Sequence, residues 1–231
     1  MERPPAVIVF TRAPRAGATK TRLIPALGPA GAAELHRCFI LDVLGSLRPL
    51  PAHIIVAIAE PEDAEPVRGL AADACPSAEL FVQSGADLGE RISNSVGSAL
   101  EQGYPRVAVV GTDAPDLPTR LVDEALALSV DSDLVLGPCL DGGYYLVGMR
   151  ELVPGLFRGI EWSSDHVLVD TLSRAKRRGL SVALLEPWYD VDTPEALDHL
   201  RSELSRKAVA GEPITCLRTW DYLCDLEGQD A

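Results

Sequence analysis

Short apolar runs rich in β-branched residues alternate along the chain with segments of helical periodicity. The runs predict strands at 6–10, 53–59, 79–83, 106–111, 133–137, 144–149 and 181–186. Helices are predicted at 31–47, 88–102, 119–128 and 164–178, with Ser164 as a helix cap, and a last helix opens at Thr193-Pro194. Continuously apolar strands are typical of sheets covered on both faces. The alternation therefore predicts an α/β fold with a mostly parallel central sheet between two helical layers.

The charge balance limits the kinds of partner. The chain has 231 residues, with 21 Lys and Arg against 34 Asp and Glu, giving a formal net charge of −13. Nucleic acids and anionic membranes require a cationic surface, so neither is expected as the main partner. A hydrophobic content of 47% argues against intrinsic disorder.

The domain organisation is expected to be simple. No long linker or internal repeat is present, which predicts one domain over 1–210 and a helical appendage over 211–231. In the appendage, Ile214, Leu217, Trp220 and Leu223 follow helical spacing. We expect this face to pack on the core or on a second copy in a homodimer.

The compartment is expected to be the cytoplasm. No signal-peptide pattern occurs, and no stretch approaches the roughly 20 apolar residues that a membrane helix needs. The five cysteines form no C-x-x-C pair, which favours reduced and mostly buried thiols over a zinc site.

The loop after the first strand is unusually basic for this acidic chain. Arg12, Arg15, Lys20 and Arg22 lie within eleven residues, with Gly17 among them. Small residues let backbone amides approach phosphate oxygens, and the cations neutralise the charge, so we predict phosphate binding. The complete G-x-x-x-x-G-K-[ST] pattern is missing, which disfavours a P-loop NTPase. The alternative is a solvated basic loop.

Carboxylates follow two later strands, where an α/β sheet places its ligands. Asp113 comes just after the fourth strand and is the first choice as a Mg²⁺ ligand. Asp116 either belongs to the site or caps the turn before Pro118. Asp190 and Asp192 alternate along an extended segment and so face one side, where they can complete a carboxylate set with Asp113. Alternatively, or in addition, Asp192 or Thr193 caps the next helix.

Three further segments leave two readings open. Asp141-Gly142-Gly143 is either a hairpin turn or a close approach to substrate with Asp141 pointing into the cleft. Arg91, after Leu88-Gly89-Glu90, either reaches a base or phosphate or lies on a helix surface. Trp162 lines an acceptor pocket or packs in the core.

Four motifs in order carry a family resemblance. The segments FTRAPRAGATKTRL, GTDAPDLP, GPCLDGGYYLVG and DVDTPEAL, spanning roughly residues 6 to 200, resemble the bacterial DUF2064 family of GT-A-fold transferases. This family is related to 2-phospho-L-lactate guanylyltransferase and, more distantly, to the molybdenum-cofactor guanylyltransferase. The resemblance implies a GT-A, Rossmann-like three-layer sandwich. The first loop departs from the usual Leu-Ala-Gly-Gly opening and reads Phe10-Thr-Arg-Ala-Pro14.

The resemblance also implies positions for substrates and metal. Lys20 would sit on the phosphates, and Asp113 and Asp192 would bind Mg²⁺ or Mn²⁺. A nucleotide site is implied in the first half of the sheet and an acceptor site in the second half. The residues assigned to the nucleotide and its phosphates are Thr11, Arg12, Arg15, Gly17, Lys20, Arg22, Gly89 and Arg91. Those assigned to the acceptor are Gly142, Gly143 and Trp162, and Lys20, Asp113 and Asp141 are assigned to catalysis.

Three functions follow as hypotheses. The preferred one is Mg²⁺-dependent transfer of a nucleotidyl group from an NTP to a small phosphorylated acceptor. The second is glycosyl transfer from a nucleotide sugar, with Asp141 or Asp116 as the base for the acceptor. The third is a catalytically idle nucleotide-binding protein.

Overall fold

This computed structural model describes residues 3–229. That part of the chain contains seven strands and seven α-helices. The strands are β1 Ala6–Thr11, β2 His53–Ile58, β3 Glu79–Val82, β4 Val107–Gly111, β5 Leu134–Pro138, β6 Tyr144–Met149 and β7 Val182–Leu184. The helices are α1 Ile24–Leu47, α2 Ala64–Ala74, α3 Leu88–Glu101, α4 Thr119–Leu128, α5 Val167–Arg177, α6 Pro194–Ala210 and α7 Leu217–Gln229.

The strands form one mostly parallel sheet in the order β3-β2-β1-β4-β6-β5-β7. Among the described strands only β6 runs antiparallel, and it pairs with both β4 and β5. Because the other six strands point the same way, their carboxyl ends meet at one edge of the sheet. The start of β6 reaches the same edge. The predicted α/β class and mostly parallel sheet are confirmed.

Helices cover both faces of the sheet, and the alternation within each strand decides which layer a side chain joins. In β1, Val7 and Val9 pack with α1, α2 and α4, whereas Ala6 and Ile8 pack with α3 and α5. The two apolar clusters lie on opposite faces of the sheet, as expected of a three-layer sandwich.

A third apolar cluster forms on the outer face of α1. Leu35 and Phe39 of α1 pack there with Leu200 of α6 and Leu223 of α7. The buried carboxylate of Asp42 accepts hydrogen bonds from the backbone amides of Arg218 and Thr219, at the amino end of α7. The 211–231 segment thus packs on α1 of its own chain over its described part.

Three element predictions need correction. The first helix begins at Ile24, with Gly28 in a non-helical, positive-φ conformation that kinks it before Pro29. Ser164 is not a helix cap, because its hydroxyl donates to the Glu161 carbonyl and α5 begins at Val167. Helix α2 was not predicted, since Val67 and Ala71 are its only buried apolar residues.

Four of the five cysteines are buried, as the sequence predicted. No disulfide joins cysteines in the described part of the chain; Cys38, Cys75, Cys139 and Cys216 are buried, and Cys224 is exposed. Within residues 3–229, no helix is long and apolar enough to cross a membrane.

Candidate functional site

A cleft of about 690 Å³ runs along the edge of the sheet where the parallel strands end. The segments that follow β1, β2, β3 and β4 contribute to its walls, together with the start of β6 and the segment before α6. Its polar lining residues include Thr11, Arg12, Thr19, Lys20, Arg22, His36, Gln83, Asp87, Arg91, Thr112, Asp113, Tyr144, Ser163, Asp190 and Asp192. This is where ligands bind in open α/β sheets.

Lys20 lies at the centre of the cleft. Its side chain is only 2% exposed, and its ammonium donates hydrogen bonds to Asp113 Oδ1 at 2.5 Å and Asp192 Oδ1 at 2.8 Å. A third bond, of 2.9 Å, goes to the carbonyl of Val191. The carboxylates of Asp113 and Asp192 remain 41% and 46% exposed. The lysine therefore joins the loop after β4 to the segment before α6, and the carboxylates of both remain accessible to a ligand.

Backbone strain accompanies this position. Among the described non-glycine residues, Lys20 and Ser163 have positive φ, at 47° and 73°, and both line the cleft. Left-handed conformations cost L-residues about 1 kcal/mol or more and concentrate at functional sites.

Electrostatics hold the Lys20 cluster in its charged form. Burial acts to lower the pKa of Lys20, but the carboxylates of Asp113 and Asp192 raise it above its ordinary value. Burial likewise acts to raise the pKa of Asp113, and the Lys20 ammonium holds it below its ordinary value. Lys20 and Asp113 are thus both ionised at neutral pH.

Asp190 is another carboxylate of the cleft lining, and within residues 3–229 it forms no ion pair. Burial, followed by the negative charges of Asp113, Asp192 and Asp141, raises its pKa to about 7. Within residues 3–229 it accepts no hydrogen bond. Ligand atoms of Cys139, Asp141 and Asp190 lie within 4.8 Å of one another. An excess of hard oxygen donors over one ammonium fits a divalent cation such as Mg²⁺ or Mn²⁺.

The basic loop is only partly directed into the cleft. Arg12, Lys20 and Arg22 line it, as does Arg91 from α3. Arg15 instead forms a 3.0 Å ion pair with Asp63, and Gly17 has a φ of 82° in a turn outside the lining. That turn is closed by Thr19, whose hydroxyl accepts from the Arg15 amide and donates to the Arg15 carbonyl.

Two side-chain contacts support the basic loop. The hydroxyl of Thr11 lies 3.1 Å from that of Thr112, which ties the end of β1 to the end of β4. His36 Nε2 lies 3.2 Å from the Arg12 carbonyl, which can only accept, so the proton is on Nε2. Burial, above all, lowers the pKa of His36 to about 4. His36 had no assigned role in the sequence, because nothing near it in the chain marks it as part of the loop.

The Asp141-Gly142-Gly143 segment is the turn between β5 and β6. Asp141 Oδ1 accepts a hydrogen bond from the Gly143 amide, and the Asp141 side chain is exposed near Asp190. Gly142 has a φ of 93° and lies against the backbone of Asp165, with no room for a Cβ. Neither glycine lies in the lining of the cleft. Gly142 is thus explained by the close approach of the loop before α5.

Trp162 and Gly89 pack together behind the cleft. Trp162 meets Tyr144 edge-to-face at 6.1 Å and lies so close to Gly89 that a Cβ there would contact its ring at 2.8 Å. Both lie outside the lining, which Tyr144 and Ser163 reach instead. No sequence pattern marks Tyr144 or Ser163 as cleft residues, and Ser163 is distinguished in the structure by its positive φ.

Asp116 lies behind the carboxylates. It is 4% exposed and accepts hydrogen bonds from Tyr189 Oη at 2.6 Å and Trp188 Nε1 at 3.2 Å. Asp116 is absent from the lining, so neither the side chain nor its charge faces the cleft directly.

Comparisons with known proteins agree with this fold. A candidate nucleotide-diphospho-sugar transferase from Desulfovibrio desulfuricans G20 has a solved structure with a TM-score of 0.87 and 32% identity, covering 98% of this chain and 96% of that one. A 4-diphosphocytidyl-2C-methyl-D-erythritol synthase from Anaerococcus prevotii has a TM-score of 0.58 and 12% identity, over 88% and 96% of the chains.

A cytidylyltransferase from Leptospira borgpetersenii has a TM-score of 0.55 and 13% identity, over 100% and 96% of the chains. At these low identities the last two likenesses concern the fold alone, and they confirm the GT-A-type architecture. No curated protein matches the sequence. The profile of a family described as an uncharacterized protein conserved in bacteria (DUF2064) matches residues 46–164, about half of the chain. Together with the relative at 32% identity, this match shows that the chain belongs to the DUF2064 family.

Proposed function

We propose that the chain is a cytoplasmic nucleotidyltransferase that moves a nucleoside monophosphate from an NTP to a small phosphorylated acceptor. The observation that carries this proposal is the composition of one cleft. The Lys20 ammonium contacts the carboxylates of Asp113 and Asp192, Asp190 interacts electrostatically with all three groups, and three arginines line the same walls. A triphosphate with its divalent cation needs both kinds of charge in one place.

The reaction would be an in-line substitution at the α-phosphorus. An oxygen of the acceptor phosphate forms the new bond, and the bond to the bridging oxygen of pyrophosphate breaks. Arg12, Arg22 and Arg91 would orient and neutralise the phosphates, since guanidinium groups bind phosphate oxygens bidentately. This places most of the catalysis in positioning and charge stabilisation.

The carboxylates of Asp113, Asp190 and Asp192 would hold Mg²⁺ or Mn²⁺. When bound, the cation neutralises phosphate charge and stabilises the leaving pyrophosphate. Lys20 would hold Asp113 and Asp192 at a fixed separation, because its ammonium is already bonded to both. Its near-complete burial, and the engagement of all three of its donors by Asp113, Asp192 and the Val191 carbonyl, support this positioning role over direct contact with phosphate.

Ligand binding is tested first. Thermal unfolding is measured with each of the four NTPs, with nucleoside diphosphates and with nucleotide sugars, with and without Mg²⁺. A ligand at about 100 times its Kd stabilises by about 2.7 kcal/mol, which a melting curve resolves. We expect a Mg²⁺-dependent shift with one NTP, lost in Asp113→Asn and retained in Glu65→Gln, an exposed carboxylate paired with Arg68. An Mg²⁺-independent shift, or one kept in Asp113→Asn, would contradict the proposal.

Glycosyl transfer is the second candidate, and the Desulfovibrio relative at 32% identity supports it. Arg15 forms an ion pair with Asp63 and does not line the cleft. Fewer basic side chains of the loop therefore face the ligand than the sequence predicted, and this smaller positive charge suits a diphosphate. The products separate the two reactions. Release of pyrophosphate indicates nucleotidyl transfer, and release of a nucleoside diphosphate from a nucleotide sugar indicates glycosyl transfer.

A further inference from the structure

The segment 188–192 carries two of the three carboxylates proposed to hold the cation, and it belongs to no helix or strand. It joins β7 to α6, and loops of this kind are usually the most mobile parts of a fold. Asp190 and Asp192 can face Asp113 only if this segment is held at a fixed distance from the loop after β4. The contacts that hold it are therefore of functional interest.

Backbone contacts hold the segment at two points. The Val191 amide donates to the Asp113 carbonyl at 2.8 Å, and the Trp188 amide donates to the Pro138 carbonyl at 2.9 Å. Side chains supply the rest: the Lys20 ammonium binds the end of the segment through the Val191 carbonyl and Asp192, and Asp116 binds its start. Asp116 accepts from Trp188 Nε1 and Tyr189 Oη, which are the two residues directly before Asp190.

Asp116 is costly to bury, and its only side-chain partners in the described chain are these two aromatic donors. A carboxyl group that is 4% exposed lowers stability unless its hydrogen bonds compensate for the loss of contact with water. Trp188 and Tyr189 are stacked with 5.7 Å between ring centroids, and Tyr189 also packs edge-to-face on His199 of α6. The carboxylate thus fixes a rigid aromatic pair, and the pair fixes the start of the acidic segment.

We propose that Asp116 is a positioning residue, which acts through Trp188 and Tyr189 to hold Asp190 and Asp192 beside Asp113. The inference rests on the proposed function in so far as these carboxylates bind a divalent cation. Asp116 itself does not touch the cation or the substrate. Partners that orient metal ligands typically contribute about 10- to 100-fold to metal affinity.

Mn²⁺ affinity, measured from the free-ion signal in electron paramagnetic resonance, tests this role without any substrate. Tyr189→Phe removes one hydrogen bond and no charge, so a change in affinity cannot come from the electrostatic field of Asp116. Asp116→Asn replaces one acceptor oxygen by an NH2 group. That group then faces either Trp188 Nε1 or Tyr189 Oη, and one of the two hydrogen bonds is lost. We expect Mn²⁺ affinity to fall about tenfold in each variant.

Asp42→Asn is the matched control. Asp42 is 6% exposed and also accepts two hydrogen bonds, but from the backbone of α7, outside the cleft lining. Its loss should lower stability without changing Mn²⁺ affinity. Wild-type affinity in Tyr189→Phe would overturn the inference, as would an equal loss in Asp42→Asn.

A wild-type protein that binds no Mn²⁺ would instead refute the proposed metal site. The inference is then tested by a crystal structure of Tyr189→Phe. We expect the contact of 2.8 Å between Lys20 Nζ and Asp192 Oδ1 to be broken in that structure, and an unchanged contact would overturn the inference.

Discussion

Lys20 combines a buried ammonium with two partly exposed carboxylate partners, and this asymmetry has a measurable consequence. In Lys20→Met the repulsion between Asp113 and Asp192 is no longer balanced, while solvent and added cations still reach both groups. We expect unfolding free energy to drop by about 1 to 3 kcal/mol, less than for a fully buried pair. Saturating Mg²⁺ should restore more stability in this variant than it adds to the wild type.

Urea unfolding with and without Mg²⁺ measures this difference. Arg15→Met is the control, since its ion pair with Asp63 includes none of the cleft carboxylates. If Mg²⁺ stabilises Lys20→Met no more than Arg15→Met, Asp113 and Asp192 do not share a cation site.

His36 provides a prediction on pH. Its folded-state pKa of about 4 lies below the ordinary value of 6.5, so the unfolded chain takes up the proton first. As pH falls from about 6.5 to 4, this residue therefore lowers the stability of the fold, by about 2 to 3 kcal/mol in total. The unfolding free energy of the wild type should fall more steeply across this range than that of His36→Gln. Parallel pH profiles for the two proteins would contradict the assignment.

The turn between β5 and β6 shows how an element can require glycine for two reasons. Gly142 has a φ of 93° and no room for a Cβ, whereas Gly103 has a φ of 88° and open space around it. Gly103→Ala should cost about 1 kcal/mol, from the left-handed backbone alone. Gly142→Ala should cost about 1 to 3 kcal/mol more, because the added methyl group displaces the Asp165 backbone.

Equilibrium unfolding of the two variants makes this comparison. Equal losses would show that the contact between the turn and the loop before α5 is not maintained in solution. The larger loss at Gly142 would assign that glycine to packing and leave the hairpin reading of the segment in place.

Helix α7 raises the question of whether the carboxyl-terminal segment is a separate unit. Leu223 is 1% exposed in the cluster shared with α1 and α6, and Asp42 anchors the amino end of the helix. We predict that Leu223→Ala lowers the unfolding free energy of the entire chain by about 2 to 5 kcal/mol. Circular dichroism and tryptophan fluorescence should report one shared transition. An earlier, separate transition of the helical signal would support an independent appendage.

The sequence alone predicted the α/β class, the strand locations and the loops that carry charge. It did so because strand burial on both faces leaves continuous apolar runs, and parallel strands bring all their following loops to one edge. The Asp113, Asp190 and Asp192 carboxylates were recognised in this way. Helix α2 was not predicted because it buries too few large apolar side chains to give a helical periodicity in the sequence.

Contacts between loops distant in the chain could not be read from the sequence. Arg15 and Arg12 look equivalent in the sequence, yet one pairs with Asp63 and the other lines the cleft. Lys20 lies under two carboxylates that are 93 and 172 residues away, and Asp116 meets Trp188 and Tyr189 across more than 70 residues. Such contacts depend on the order of the strands in the sheet and on the packing of the loops at its edge. Neither can be predicted from the residue pattern of a single segment.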